Sequence, residues 1–189
     1  MLQPLIQFDK QLFYLINHGL SNPVFDVLMP VIRNPYVWAP LYAFIVGASI
    51  YRYQKAGIYV IVLLALTFGI ADFGSATVIK SIVHRVRPCN CSALTKTIVE
   101  RVPCGSGYSF PSAHASNHFA IAIFLCFIFG SRYKWVWASA LIWAFCISFA
   151  QVYVGVHYPL DVIGGALYGL LVGWLFALLF KKLQPQFTP

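Results

Sequence analysis

Three short segments hold the residues that could do chemistry: Lys80-x6-Arg87-Pro88, Pro111-Ser112-Ala113-His114 and His157-x3-Asp161. A histidine that attacks, a second that moves a proton and a set of fixed cations are what phosphoryl transfer through a phosphohistidine requires. His157 and Asp161 are four residues apart, so on a helical turn their side chains can meet. A carboxylate on one ring nitrogen fixes the tautomer and leaves the other nitrogen free to attack. Pro111-Ser112-Ala113-His114 reads as a helix start, because proline is tolerated in the first turn. The free N–H groups of that turn, at Ala113 and beyond, bind anions, and the Ser112 hydroxyl adds a donor. His114 then stands where it can protonate a leaving oxygen. Lys80 and Arg87 are seven residues apart, about two helical turns, so the spacing places both on one face with His84. Pro88 ends that helix.

Taken singly, each segment has an ordinary reading. The first can be a basic collar snorkelling at a membrane boundary. The second can be a helix cap with an incidental histidine, and the third a buried His–Asp pair. Their order within one apolar chain is what points to a reaction.

The elements that must position them are membrane spans. The chain has 189 residues, 60% hydrophobic and only 10% charged, where soluble domains carry about 25% charged residues. Four segments, 57–79, 114–130, 135–156 and 162–180, approach the roughly 20 apolar residues that a bilayer core demands. A fifth, 37–51, is shorter. The expected fold is all-α: one domain over 1–189, a polytopic transmembrane helical bundle of about 5–6 spans. Asp9 and Lys10 interrupt the first twenty residues, so these do not read as a signal peptide. Leu5, Phe8, Leu12, Phe13, Leu15 and Ile16 follow a helical period instead, as in an amphipathic helix lying in the membrane interface. Asn22-Pro23, Pro30 and Asn34-Pro35 punctuate the next stretch, making 23–33 a second interfacial or partly inserted piece. Residues 1–35 are thus interfacial, and 80–112 form an outward loop at the site.

Alternating spans bring all three segments to one membrane face. Arg52, Lys55, Arg132, Lys134, Lys181 and Lys182 fall on the other, assigned to the cytoplasm. The site face carries Lys80, Arg85, Arg87, Lys96 and Arg101 and is equally basic; reading these as an anion site decides the orientation. The protein is therefore expected in the cytoplasmic membrane, with its site toward the periplasm or outside. There Cys104 can pair with Cys89 or Cys91. Asp72 inside a span reads as structural, satisfied by Thr67, Ser75 or Thr77. His118 either tunes His114 or bonds within the bundle. Gly165, Gly169 and Gly173 form a stripe for close helix packing.

The ordered segments resemble the type 2 phosphatidic acid phosphatase family, membrane relatives of the vanadium-dependent haloperoxidases. The family signature is K-x6-R-P, P-S-x-H and S-R-x5-H-x3-D, and the likeness runs from Lys80 to Asp161. It implies a metal-independent lipid phosphatase with a helical bundle and no cofactor. His157 would be the nucleophile, His114 the general acid and Asp161 the partner of His157. Lys80, Arg87 and Ser112 would hold the phosphate. The substrate would be a lipid phosphate or diphosphate, such as undecaprenyl diphosphate, phosphatidylglycerol phosphate, phosphatidate or a lipid A phosphate. Neither nucleic acid nor an obligate protein partner is implied. A metallohydrolase using His114, His157 and Asp161 is the rival, and Lys80 and Arg87 would repel its ion.

One position departs from the pattern. The family's Ser-Arg falls on Ala150-Gln151. A glutamine amide can donate a hydrogen bond but brings no charge and no guanidinium fork. Three readings stand: Gln151 suffices, or Arg85, Arg101 or His84 supplies the charge, or the protein binds or transports a lipid phosphate and turns it over slowly or not at all.

Overall fold

The computed structural model describes residues 2–92 and 97–189; Lys96, one of the expected outward cations, lies outside them. Among the described residues the regular structure is helical. The helices are α1 (Leu2–Tyr14), α2 (Pro23–Ile32), α3 (Ala39–Asp72), α4 (Lys80–Val83), α5 (Ala113–Phe129), α6 (Trp135–Tyr153) and α7 (Pro159–Leu183). Wider π turns extend α1 over Leu15–Gly19 and join α3 to α4 over Phe73–Ile79.

The stretch Pro35–Asn90 is apolar enough to cross a membrane, as are Trp135–Tyr153 and Pro159–Leu183. Within it α3 turns back on itself. Gln54 takes φ 50° and ψ −118°, and Gly57 packs so closely on the Ser49 carbonyl that a Cβ there would collide. Residues 39–53 run away from the site face and 55–72 return toward it, and these two arms overlap the segments 37–51 and 57–79 read from the sequence. Large apolar side chains such as Phe44, Ile142, Phe145 and Leu167 face outward, as they do when lipid is the solvent.

Helix α5 is the axis of the bundle. It is apolar around its whole circumference, and such a helix belongs in the interior. Ile121, Phe124, Leu125 and Ile128 pack against Val60 and Leu63 of α3 and against Ala177 and Phe180 of α7. Helix α7 approaches α5 through the glycine stripe. Cβ atoms on Gly165, Gly169 and Gly173 would strike the carbonyls of Ser112, Ser116 and Ala120 in turn. That closeness fixes the N-terminus of α7 beside that of α5, and the Ser112 N–H donates to the Asp161 carbonyl at 2.9 Å.

Polar residues secure the N-terminal helices. In α1 and its extension, Phe13 and Asp9 are buried while Leu5, Phe8 and Leu15 are exposed, so this segment turns an apolar face outward and sets a polar hook in the bundle. Asn17 donates to the carbonyls of Val99 and Tyr153. Asn22 caps α2 by accepting from the Phe25 N–H, and Asp26 accepts from the Tyr153 hydroxyl. Opposite the site, Tyr53 stacks on Phe129, and Lys181 lies 5.2 Å from the Phe127 ring.

Candidate active site

The three segments meet at one end of the bundle, around a cavity of about 240 Å³. Its walls are Arg33, Lys80, Arg87, Pro103, Gly105, Ala113, His114, Gln151, Val156 and His157. A larger cavity, about 770 Å³, lies between α3 and α6 and is lined almost wholly by apolar residues; the chemistry belongs to the smaller one.

His157 sits between the end of α6 and the start of α7, held by its backbone N–H to the Gln151 carbonyl at 3.3 Å. Its Nε2 faces Arg87 Nη1 at 3.3 Å. Arginine can only donate, so Nε2 carries the lone pair and the proton resides on Nδ1. Nδ1 points to Asp161 Oδ2 at 3.6 Å, an ion-pair distance just beyond a hydrogen bond. Burial pushes the His157 pKa down to about 4, against the opposing pull of Asp161. The ring is therefore neutral over the physiological range, and its unprotonated Nε2 lies in the cavity wall, accepting from Arg87.

Asp161 is fully buried behind His157. Oδ2 accepts from the Tyr158 N–H at 2.8 Å, and Oδ1 accepts from Arg85 Nη1 at 2.7 Å. Arg85 also pairs with Asp9, which accepts in addition from the Leu160 N–H at 2.9 Å. The Arg85 guanidinium stands 4.1 Å from the Tyr158 ring centre.

His114 lies in the first turn of α5. Its ring is parallel to that of His118, with centres 6.3 Å apart. His118 Nδ1 meets the His114 carbonyl at 2.8 Å, its Nε2 meets the Tyr42 hydroxyl at 3.3 Å, and Trp143 packs edge-on against it. It bonds within the bundle. Asp72 accepts from Asn117 Nδ2 at 2.8 Å, so its partner is an amide of α5 rather than Thr67, Ser75 or Thr77.

Arg87 reaches the cavity differently from the sequence expectation. The helix ends at Val83, His84 takes a left-handed φ of 52°, and Arg87 is extended. Lys80 and Arg87 thus converge from a helix and a strap rather than from two turns of one helix. The Arg87 guanidinium donates to the carbonyls of Gly107, Val156 and Ser106. Gly105 lies against it, its Cβ direction 3.6 Å from Cζ. This Gly-Ser-Gly strap is tethered by a Cys89–Cys104 disulfide, one of the two pairings the sequence allowed.

Ser112 lies behind the wall. Its Oγ accepts from the Ala115 N–H at 3.4 Å and caps α5, while Ala113 is the wall residue. Among the described residues no three His, Cys, Asp or Glu side chains gather as metal ligands.

The three side chains expected to supply a charge beside Gln151 are all engaged elsewhere. Arg85 serves Asp161 and Asp9. Arg101 donates to Asp26, Ser21, Asn17 and Tyr153. His84 packs edge-on against Tyr108, outside the cavity wall. The cation beside Gln151 is Arg33, whose Nε donates to Gln151 Oε1 at 3.2 Å. Sequence reasoning missed it. The available signal was its isolation: Arg33 is the sole Lys or Arg between Lys10 and Arg52.

The chain is similar to known proteins over most of its length. A family model described as PAP2 superfamily matches residues 55–185. The chain is 34% identical over 189 residues to the lipid A 4'-phosphatase of Bacteroides thetaiotaomicron, covering 98% of this chain and 83% of that protein. It is 30% identical over 172 residues to the undecaprenyl-diphosphatase of Sulfolobus acidocaldarius, covering 90% of this chain and 77% of that one. Its fold matches the transmembrane PAP2 type phosphatidylglycerolphosphate phosphatase of Bacillus subtilis with a TM-score of 0.77 at 24% identity, over 95% of this chain and 88% of that one. It matches Aquifex aeolicus LpxE with a TM-score of 0.67 at 27% identity, over 88% and 92% of the two chains.

Proposed function

This chain belongs to the PAP2 superfamily, and we propose that it hydrolyses a lipid phosphate or diphosphate through a phosphohistidine, at the outer face of the cytoplasmic membrane. The observation that carries this reading is the unprotonated His157 Nε2, which accepts from Arg87 in the wall of a small cavity that also holds His114, Lys80 and Arg33.

His157 Nε2 attacks phosphorus in line as the bond to the lipid oxygen breaks, and His114 delivers a proton to that oxygen. The departing lipid is an alcohol, or a monophosphate when the substrate is a diphosphate. The phosphorylated ring is cationic, and the buried Asp161 carboxylate balances its charge. Lys80 and Arg87 stabilise the charge spread over the equatorial oxygens. In the second step water attacks phosphorus, His114 takes its proton, the P–N bond breaks and inorganic phosphate leaves.

Two relatives support the substrate class through their names, a lipid A 4'-phosphatase and an undecaprenyl-diphosphatase. The apolar cavity supports a lipid substrate as well: Ile32, next to Arg33, and Trp143, packed on His118, lie in its wall. The disulfide in the strap supports an outward orientation, since such bonds persist in oxidising compartments.

The test is phosphate release by purified protein from a panel of lipid A phosphate, undecaprenyl diphosphate, phosphatidylglycerol phosphate and phosphatidate, with and without chelator. Release insensitive to chelator and abolished by His157→Ala is expected. Failure of every lipid to yield phosphate, or full activity in His157→Ala, overturns the reading.

A further inference from the structure

We propose that Arg33 is a catalytic residue of this chain: it supplies, from the end of α2, the phosphate-binding guanidinium that position 151 lacks, with Gln151 as the bracket that aims it. This rests on the phosphatase reading above.

Arg33 is the C-cap of α2, and its N–H donates to the Met29 carbonyl at 3.2 Å. The backbone beside it is clamped, since the Trp38 indole donates to the Ile32 carbonyl at 2.7 Å. Helix α2 is itself tied to α6 by Asp26 and Tyr153. The side chain therefore leaves a fixed point and enters the cavity wall beside Lys80, Arg87 and His114.

The hydrogen bonds of Arg33 and Gln151 leave donors that suit an anion. Arg33 uses Nε on Gln151 Oε1. Among the described residues, neither of its Nη groups makes a hydrogen bond to protein, which leaves a guanidinium edge for an oxyanion. Gln151 is fully buried, and its Nε2 has no partner among the described residues. Its orientation is not free: only Oε1 can accept from Arg33, so Nε2 must be the unpartnered end. A buried donor without an acceptor is costly unless a ligand supplies one. A phosphoryl oxygen in the cavity would answer both the Gln151 amide and the Arg33 fork.

An arginine at 151 would reach the cavity from α6. Here α6 contributes a neutral amide, and the charge crosses from an element 118 residues away in sequence. The cavity thereby keeps three cations around its two histidines.

The experiment compares Arg33→Gln, Gln151→Arg and the double variant, each in detergent-purified full chain. The readouts are kcat/KM on one lipid phosphate and the affinity for orthovanadate measured by calorimetry. Arg33→Gln should lower kcat/KM by about 100-fold, the scale of losing a positioned oxyanion donor. It should weaken vanadate binding by about tenfold, the lesser value expected because vanadate also contacts Lys80 and Arg87. The double variant should recover at least about tenfold over Arg33→Gln, because the guanidinium returns from the α6 side. Activity of Arg33→Gln close to wild type overturns the proposal. So does a loss that the double variant does not recover while vanadate binding is unchanged, since that marks a structural role. If wild type hydrolyses no lipid phosphate, the phosphatase reading fails, and vanadate affinity still decides whether Arg33 holds the anion.

Discussion

Arg85 is the sharpest place to perturb, because one guanidinium serves two buried carboxylates. Arg85→Met keeps much of the stem and removes the charge. Asp9 and Asp161 have no exposed side-chain surface. Stripping the partner from a buried ion pair costs about 3–5 kcal/mol. Two orphaned carboxylates argue for the upper end, whereas the retained N–H donors at Leu160 and Tyr158 offset part of it. The expected loss is about 4 kcal/mol of folding stability.

The chemical consequence has a definite sign. Arg85 now shares the charge of Asp161, which lies 3.6 Å from His157 Nδ1. With Arg85 gone, the full carboxylate charge acts on the ring and favours its protonated form. Loss of Arg85 therefore moves the acid limb to higher pH. In the wild type burial holds the His157 pKa to about 4, so protonation silences the nucleophile only as pH falls through that value. In Arg85→Met, activity should begin to fall at a distinctly higher pH. The assay is kcat/KM against pH for both proteins, beside thermal unfolding in the same detergent. An acid limb that stays in place refutes the charge argument even if stability falls. Unchanged stability and an unchanged limb refute the structural role of the Asp9–Arg85–Asp161 chain altogether.

Three further outcomes are expected. His114→Ala should lower kcat by about 10² or more, the usual scale for a positioned acid, with vanadate affinity retained; an unchanged rate removes it from that role. Replacing Cys89 and Cys104 together with serine opens a crosslink spanning 15 residues and should cost about 3 kcal/mol of stability by thermal unfolding. The same change should raise KM, because the tethered strap holds the Arg87 guanidinium through Gly107 and Ser106. Gly169→Leu places a side chain against the Ser116 carbonyl and should destabilise by about 1–3 kcal/mol or more, with α7 displaced from α5; unchanged thermal stability would show that the two helices are not in register there.

Much of the fold was legible because lipid imposes simple rules. Apolar runs of span length, broken by Arg52 to Ala56 and by Arg132 to Lys134, mark the crossings whatever their packing. The glycine stripe of α7 has a period that only a close helix contact explains. His157 and Asp161 were legible as a pair because a separation of four suits a helical turn, and the structure keeps them together although His157 lies just before α7. The path from Lys80 to Arg87 was misread for the same reason: a spacing of seven suggests one helix, yet the chain leaves the helix at His84. Convergence on a cavity does not require shared secondary structure.

The completion of the site was not legible, because periodicity describes neighbours along one element while a phosphate cradle is assembled across several. Gln151 read alone is a lost charge, and Arg85 and Arg101 in the nearby loop were reasonable donors by sequence distance. What removes them is competition. Asp9 and Asp161 claim Arg85, and Asp26 with two carbonyls claims Arg101. The buried carboxylates of Asp9 and Asp161 hold Arg85, and Arg101 is held by several partners at once. Arg33 has no carboxylate within ion-pair reach among the described residues, and its bond to Gln151 is to a neutral oxygen. A guanidinium held in place yet not neutralised keeps its full charge for an incoming phosphate. With Arg33 in its wall, the cavity draws a third charge from another element, so a neutral Gln151 is compatible with the proposed reaction.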